Sequence, residues 1–105
     1  MAEPSPPADP TAGPPAVQAA LARLREHFLA GLPQRWRAIE AAAEPAAKAA
    51  LLHQLAGVAG SFGLHALGEA ARQGEHAAAA GDVPALAQAL ARLRSGLENA
   101  GVTLR

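Results

Sequence analysis

Apolar side chains recur every three or four residues along most of the chain, which is the spacing of one face of an α-helix. In the first such run, from Ala16 onward, the apolar positions are Val17, Leu21, Leu24, Phe28, Leu32, Trp36 and Ile39. Pro33 interrupts this run, because proline disfavours helix at the residues before it. Since the apolar phase continues through Pro33, the pattern predicts one kinked helix or two nearly collinear helices.

Three further helices are predicted from their start and stop signals. Proline is tolerated in the first turn of a helix, and a glycine in the left-handed conformation commonly follows the last turn. The predicted bounds are Pro45 to Ser61, Leu64 to about Ala80, and Asp82 as the N-cap to Gly101. The links between them are short, which favours antiparallel neighbours. The predicted fold class is therefore all-α, an antiparallel up-down-up-down four-helix bundle.

The beginning of the chain has a different composition. Six prolines fall within residues 4–15, and no hydrophobic anchor lies among them. Such a segment cannot bury enough apolar surface to order itself, so residues 1–15 are predicted to be a disordered Pro-rich tail and residues 16–105 the bundle. The segment also lacks the basic and apolar regions of a signal peptide, which makes a cytoplasmic protein the default expectation.

Composition excludes several function classes. Nine basic and nine acidic residues give a formal net charge of zero, so no nucleic-acid footprint is indicated. The chain has no cysteine, which rules out disulfides and zinc thiolate sites. No apolar run approaches the ~18 residues of a membrane span. No glycine-rich phosphate loop, paired carboxylates or Ser/His/Asp order is found, and neither a cofactor nor a metal is predicted.

One histidine, His53, lies on a strip of the second predicted helix that carries only small residues. Successive residues advance by ~100° around a helix, and every position within roughly 60° of His53 is alanine or glycine. These positions are Ala46, Ala49, Ala50, Ala56, Gly57 and Gly60, whereas Leu51, Leu55, Val58 and Phe62 fall on the opposite half with Leu52 at the flank. The pattern predicts an exposed imidazole facing away from a leucine core.

The glycines of this strip suggest that a partner approaches the histidine closely. Each one costs up to ~1 kcal/mol of helix stability relative to alanine. A side chain at Gly57 would stand beside the imidazole, because residues four apart are neighbours on a helix. The predicted docking surface consists of Ala49, Ala50, Ala56, Gly57 and Gly60. In an alanine-rich chain, a bare strip can also arise by chance.

Imidazole chemistry indicates what such a histidine could do. An exposed imidazole changes charge near neutral pH, so part of it is neutral and nucleophilic in the cell. Neutral imidazole can accept a phosphoryl group, and phosphoryl transfer depends mostly on positioning and charge stabilisation, which a docked partner can supply. A domain with one nucleophile and little other chemistry fits this role.

The stretch HQLAGVAGSFGLHALGEAA resembles the signature of histidine-containing phosphotransfer (HPt) domains. That signature has a histidine, an apolar residue two positions later, a glycine four positions later, small residues, and then an aromatic residue or leucine followed by glycine. The matching residues here are His53, Leu55, Gly57, Ala59-Gly60-Ser61 and Phe62-Gly63, with Glu75 and Gly81-Asp82 downstream. The resemblance covers roughly residues 17–99.

The resemblance implies a four-helix bundle that relays phosphoryl groups between receiver-domain aspartates and one exposed histidine. His53 would be the phosphoacceptor, and Gly57 would provide clearance. The implied partner is the receiver domain of a response regulator, of a hybrid histidine kinase, or of both. The protein would act as a monomeric phosphotransfer intermediate with no kinase activity of its own.

The sequence departs from the family pattern at two positions. The lysine often found three residues after the histidine, where it is thought to help hold the phosphoryl group, is Ala56 here, which suggests slower transfer. The leucine often found before the glutamate of the third helix is Gly74 here, which suggests a weaker bundle. Because of Ala56, a domain that binds receivers but transfers poorly is also compatible with the sequence.

Other interpretations of the chain stay open. The protein could be a non-catalytic helical adaptor that binds a receiver domain or another partner without carrying phosphate, or an alanine-rich scaffold of an oligomer. Arg35 or Arg37 could lie near His53 and meet an acidic receiver pocket, although a solvated basic face is the simpler interpretation. His65 and His76 are three turns apart on one face, so they cannot both reach one metal ion.

Overall fold

The computed structural model describes residues 14–104, which form an all-helical fold with short connections between the helices. Its four helices are α1 (Pro15–Ala41), α2 (Pro45–Ser61), α3 (His65–Ala80) and α4 (Val83–Asn99), and no strand occurs in this range. The all-α prediction is confirmed. Most of the predicted tail, residues 1–13, lies outside the described residues, and Pro15, assigned above to that tail, is the first residue of α1.

The helix ends follow the proline and glycine signals. Gly63 and Gly81 adopt φ values of +72° and +68°, in the left-handed region where a side chain would be strained. The Asp82 carboxylate accepts a hydrogen bond of 3.1 Å from the backbone N–H of Ala85, which satisfies a free donor at the start of α4. Pro33 lies inside α1, which continues through it as one helix.

Polar contacts fix α1 against the two ends of α2. The Arg25 guanidinium donates a 3.1 Å hydrogen bond to the carbonyl of Phe62, just after α2 ends. At the opposite end, the half-buried Lys48 donates through its ammonium to the carbonyl of Ile39 in the last turn of α1. These contacts pair the middle of α1 with the end of α2 and the end of α1 with the beginning of α2, so the two helices run antiparallel.

Glycines on α3 let neighbouring helices approach closely. A Cβ at Gly74 would lie 3.1 Å from Cδ1 of Leu52 and 3.7 Å from the Cβ of Ala89. A Cβ at Gly68 would lie 3.4 Å from the carbonyl oxygen of Ala56. Leu52 therefore occupies the space that a larger side chain at position 74 would need. Gly74 is part of a tight contact of α3 with α2 and α4. Its missing side chain leaves no cavity, because Leu52 and Ala89 fill the space.

Replacing Gly74 with leucine is expected to destabilise the bundle. Leu52 is fully buried and has little room to move, so the added side chain overpacks the contact. We expect the melting temperature of Gly74→Leu to fall by roughly 5–20 °C, as followed by circular dichroism. Gly60→Leu is the matched control, because a Cβ at Gly60 meets nothing within 4 Å. Equal melting temperatures for the two variants would contradict the close packing at Gly74.

The buried face of α2 is wider than the sequence pattern predicted. Leu52, placed above at the flank, is fully buried, and Ala56, placed above on the exposed strip, is only 6% exposed. Leu51 and Val58 are only partly buried. Both nevertheless pack against the core, as expected. The prediction was wrong at Ala56, because α2 packs against both α1 and α3. Small residues on its α3 side are buried along with the leucines.

The apolar stripe of α1 is buried in only one half of the helix. Phe28, Leu32, Trp36 and Ile39 join the core, whereas Val17, Leu21 and Leu24 are about half exposed. The reason is length, since α1 has 27 residues and the other helices have 16 or 17, so its first half has no helix of equal length beside it.

No helix within residues 14–104, α1 included, is both long and apolar enough to span a bilayer.

Candidate functional site

The imidazole of His53 is exposed on α2 and held by one carboxylate from α3. Its Nδ1 lies 3.0 Å from Oε2 of Glu75, and the two side chains are 73% and 27% exposed. An ionised carboxylate only accepts hydrogen bonds, so this contact places the proton on Nδ1. The neutral ring then has its lone pair on Nε2. The geometry therefore selects the tautomer in which Nε2 is the nucleophilic nitrogen.

Two shallow hollows flank the His53–Glu75 pair along the seam between α2 and α3. The first extends toward the beginning of α2 and includes small residues of both helices, Ala46, Ala49, Ala50, Ala78 and Ala79. The second extends the other way, and its lining is His53, Ala56, Gly57, Arg72, Glu75 and His76. The predicted strip is thus divided, with Ala49 and Ala50 on one side of His53 and Gly57 on the other.

The surface beside the imidazole is open where the strip carries glycine. A Cβ added at Gly57 or Gly60 would meet no atom within 4 Å outside the local helix backbone. Neither glycine is therefore required by packing within the described residues. Gly57 lies one turn from His53, and its lack of a side chain leaves the ring accessible from that direction.

Ala56 does not belong to the exposed surface on which the sequence placed it. It is buried in the core, and its carbonyl oxygen faces the backbone of α3 at Gly68. The helical-wheel estimate failed here because the edge of the strip coincides with the seam against α3. Ala56 still borders the floor of the second hollow. It offers almost no surface for a partner to contact.

The positively charged side chain that lines a hollow beside the histidine comes from α3 and not from α1. Arg72 lines the second hollow, whereas neither hollow is lined by a residue of α1. The Arg35 guanidinium carbon lies 5.9 Å from the ring centroid of Phe28, which stacks on Phe62 at 5.0 Å. Arg35 therefore packs on an aromatic pair at the α1–α2 contact. The suggestion that Arg35 or Arg37 lies near His53 gains no support.

Glu75 and Arg72 are the functional candidates that the sequence did not connect to His53. Glu75 was noted only as part of the motif, and it lies 22 residues from the histidine.

His76 borders the second hollow, whereas His65 lies near Phe62 at the other end of α3. Within residues 14–104, no group of three or more potential ligands is arranged to hold a metal ion.

The described residues thus form a set of helices with an exposed histidine on α2, whose ring contacts a carboxylate of α3. The family model of the Hpt domain matches residues 23–102, and the chain belongs to that family. No curated protein and no solved structure matches the chain. Membership implies a part in histidine phosphotransfer within phosphorelays, in which Hpt domains interact with receiver domains.

Proposed function

We propose that this protein is a phosphorelay intermediate that carries a phosphoryl group on Nε2 of His53. The observation that carries this proposal is the 3.0 Å contact between Nδ1 of His53 and Glu75, combined with the 73% exposure of the His53 side chain. This arrangement leaves Nε2 free, and the bare surface at Gly57 lets a second protein approach it. A histidine that served only to stabilise the bundle would have no need of this exposure.

In the proposed transfer, the Nε2 lone pair attacks the phosphorus of an aspartyl phosphate on the receiver domain. The new bond joins Nε2 to phosphorus, and the bond from phosphorus to the aspartate oxygen breaks. The departing carboxylate keeps the electron pair of that bond. The Nδ1 proton stays on the ring, which therefore gains positive charge as the transfer proceeds. The reverse reaction returns the phosphoryl group to an aspartate of a receiver.

Glu75 supports this step in two ways. Its hydrogen bond fixes the ring orientation and the Nδ1–H tautomer before the partner arrives. Its negative charge also stabilises the positive charge that develops on the imidazole during attack. Glu75 acts through the ring and does not touch the phosphoryl group, so we assign it a positioning role.

The proposal includes a partner and a docking surface. The partner is the receiver domain of a response regulator, of a hybrid histidine kinase, or of both. It would rest on the small residues beside His53, namely the exposed Ala50, Gly57 and Gly60 and the half-buried Ala49. A monomer in the cytoplasm and an up-down-up-down helix order complete the proposal, and the antiparallel pairing of the second half of α1 with α2 supports that order.

A transfer assay tests the proposed function. Receiver domains from the same genome are phosphorylated with a small-molecule phosphodonor, purified, and mixed with this protein. The expected result is acid-labile, alkali-stable phosphate on this protein within seconds to minutes for at least one receiver, with matching loss from that receiver. Binding without label transfer would instead favour the non-catalytic adaptor.

Removing the Glu75 carboxylate is expected to slow transfer without abolishing it. A hydrogen bond to a charged group contributes ~1.5–3 kcal/mol, and partial exposure favours the lower end, which corresponds to about a ten-fold loss of rate for Glu75→Ala. Glu75→Gln retains an acceptor but not the charge, so we expect an intermediate rate. Rapid-quench transfer from a phosphorylated receiver measures these rates. Glu98→Ala, which removes an exposed partner of Arg94 on α4, is the control. A wild-type rate for Glu75→Ala would contradict the positioning role.

A further inference from the structure

The second hollow beside His53 combines an accessible surface with a positive charge. It lies between α2 and α3, and both the imidazole and Arg72 line it. Arg72 precedes Glu75 by three residues, so both side chains emerge from the same face of α3. The carboxylate that holds His53 and the guanidinium therefore lie on neighbouring turns of one helix. No lysine is present at position 56 to supply charge from α2.

Arg72 is available to bind an anion. Its Nη1 donates a 2.8 Å hydrogen bond to Oε1 of Glu69, one turn earlier on α3. Both side chains are more than half exposed, and exposed ion pairs of this kind contribute little to stability. The guanidinium has further N–H groups in a planar fork that matches the oxygens of a phosphoryl group. It can exchange Glu69 for a more highly charged partner at small cost.

We propose that this hollow is the subsite for the phosphoryl oxygens, and that Arg72 is the residue that binds them once phosphorus is bonded to Nε2 of His53. The inference rests on the proposed function and adds the group that recognises the phosphoryl oxygens. Arg72 forms no covalent bond in this step. Its hydrogen bonds to the Glu69 carboxylate are replaced by hydrogen bonds to the phosphoryl oxygens. The charge of Arg72 compensates for Ala56.

This assignment predicts a change in the ³¹P NMR spectrum of the phosphorylated protein. The hydrogen bonds that Arg72 donates to the phosphoryl oxygens alter the shielding of phosphorus. Arg72→Gln removes these bonds and is therefore expected to shift the ³¹P resonance of the phosphohistidine. The measurement is a ³¹P NMR spectrum, at neutral to alkaline pH, of protein phosphorylated by its receiver.

The same assignment predicts how phosphate is shared with the receiver at equilibrium. Arg72 stabilises phosphorylated His53 but not the free imidazole, so Arg72→Gln should shift the phosphoryl group toward the receiver by about three- to ten-fold. Arg72→Lys keeps the charge and should restore most of both effects. Glu69→Gln removes the carboxylate that competes for Arg72 and should shift the phosphoryl group away from the receiver and toward His53.

Arg94→Gln is the matched control, because Arg94 also pairs with a glutamate on an exposed helix surface but lines neither hollow beside His53. Circular dichroism confirms that each variant folds. If Arg72→Gln takes up phosphate and retains the wild-type ³¹P resonance and the wild-type partition, Arg72 does not bind the phosphoryl group and this inference is overturned, while the proposed function stands. If the wild-type protein takes up no phosphate from any receiver, the proposed function fails and the subsite fails with it.

Discussion

Gly57→Leu is expected to slow phosphoryl transfer at least ten-fold while leaving the bundle as stable as the wild type or slightly more stable. Leucine forms helix better than glycine by up to ~1 kcal/mol, and a Cβ at this position meets nothing within 4 Å. The same side chain would stand beside the His53 imidazole, one turn away, where a receiver must bring phosphorus within bonding distance of Nε2. Transfer rates and thermal denaturation measure the two effects separately.

A glycine elsewhere provides the control for this variant. Gly31 lies in α1, where an added Cβ also meets no atom within 4 Å, and α1 lines neither hollow beside His53. Gly31→Leu should therefore transfer at the wild-type rate, and Gly57→Ala should fall between the wild type and Gly57→Leu. If Gly57→Leu transfers normally, the bare strip is a consequence of alanine-rich composition. If it unfolds, position 57 is packed against another part of the chain.

His53→Gln is expected to abolish phosphate uptake completely while changing the melting temperature by no more than a few degrees. The side chain is 73% exposed and has one polar contact, so its loss removes little packing. The chain has four histidines, of which His27 and His65 lie away from both hollows beside His53. His27→Gln and His65→Gln are therefore suitable controls and should take up phosphate normally.

Binding measurements on His53→Gln distinguish the relay from the adaptor. In the relay, the variant should still bind the unphosphorylated receiver, because the docking surface around the histidine is unchanged, yet it should receive no label. In the adaptor, the wild type and the variant should be indistinguishable in every assay. Continued labelling of His53→Gln would show that another residue is the phosphoacceptor. His76 would be the first candidate, because it borders the same hollow as His53.

The helices could be predicted from sequence because their ends are encoded locally. Pro45 opens α2, Gly63 and Gly81 adopt the left-handed conformation after α2 and α3, and the Asp82 side chain caps α4. Each signal acts within a few residues of its own position, so no knowledge of the tertiary arrangement is needed. The exposure of His53 followed equally from the local pattern of small residues around it.

The contacts between helices could not be predicted in the same way. The bond between His53 and Glu75 depends on how α2 and α3 are rotated and shifted against each other, and helix periodicity carries no information about either. Ala56 was misplaced for the same reason, since its burial depends on the close approach of α3 at Gly68. The exposed first half of α1 could not be predicted for a similar reason. An apolar stripe on one helix does not show whether a neighbouring helix is long enough to cover it.

The central claim is that Nε2 of His53 is the atom that carries the phosphoryl group. The most direct measurement is NMR of ¹⁵N-labelled protein after phosphorylation by its receiver, in which coupling between phosphorus and nitrogen identifies the bonded atom. We expect coupling to Nε2 of His53, with Nδ1 still protonated and bound to Glu75. Coupling to Nδ1 of His53, or to a nitrogen of any other histidine, would contradict it.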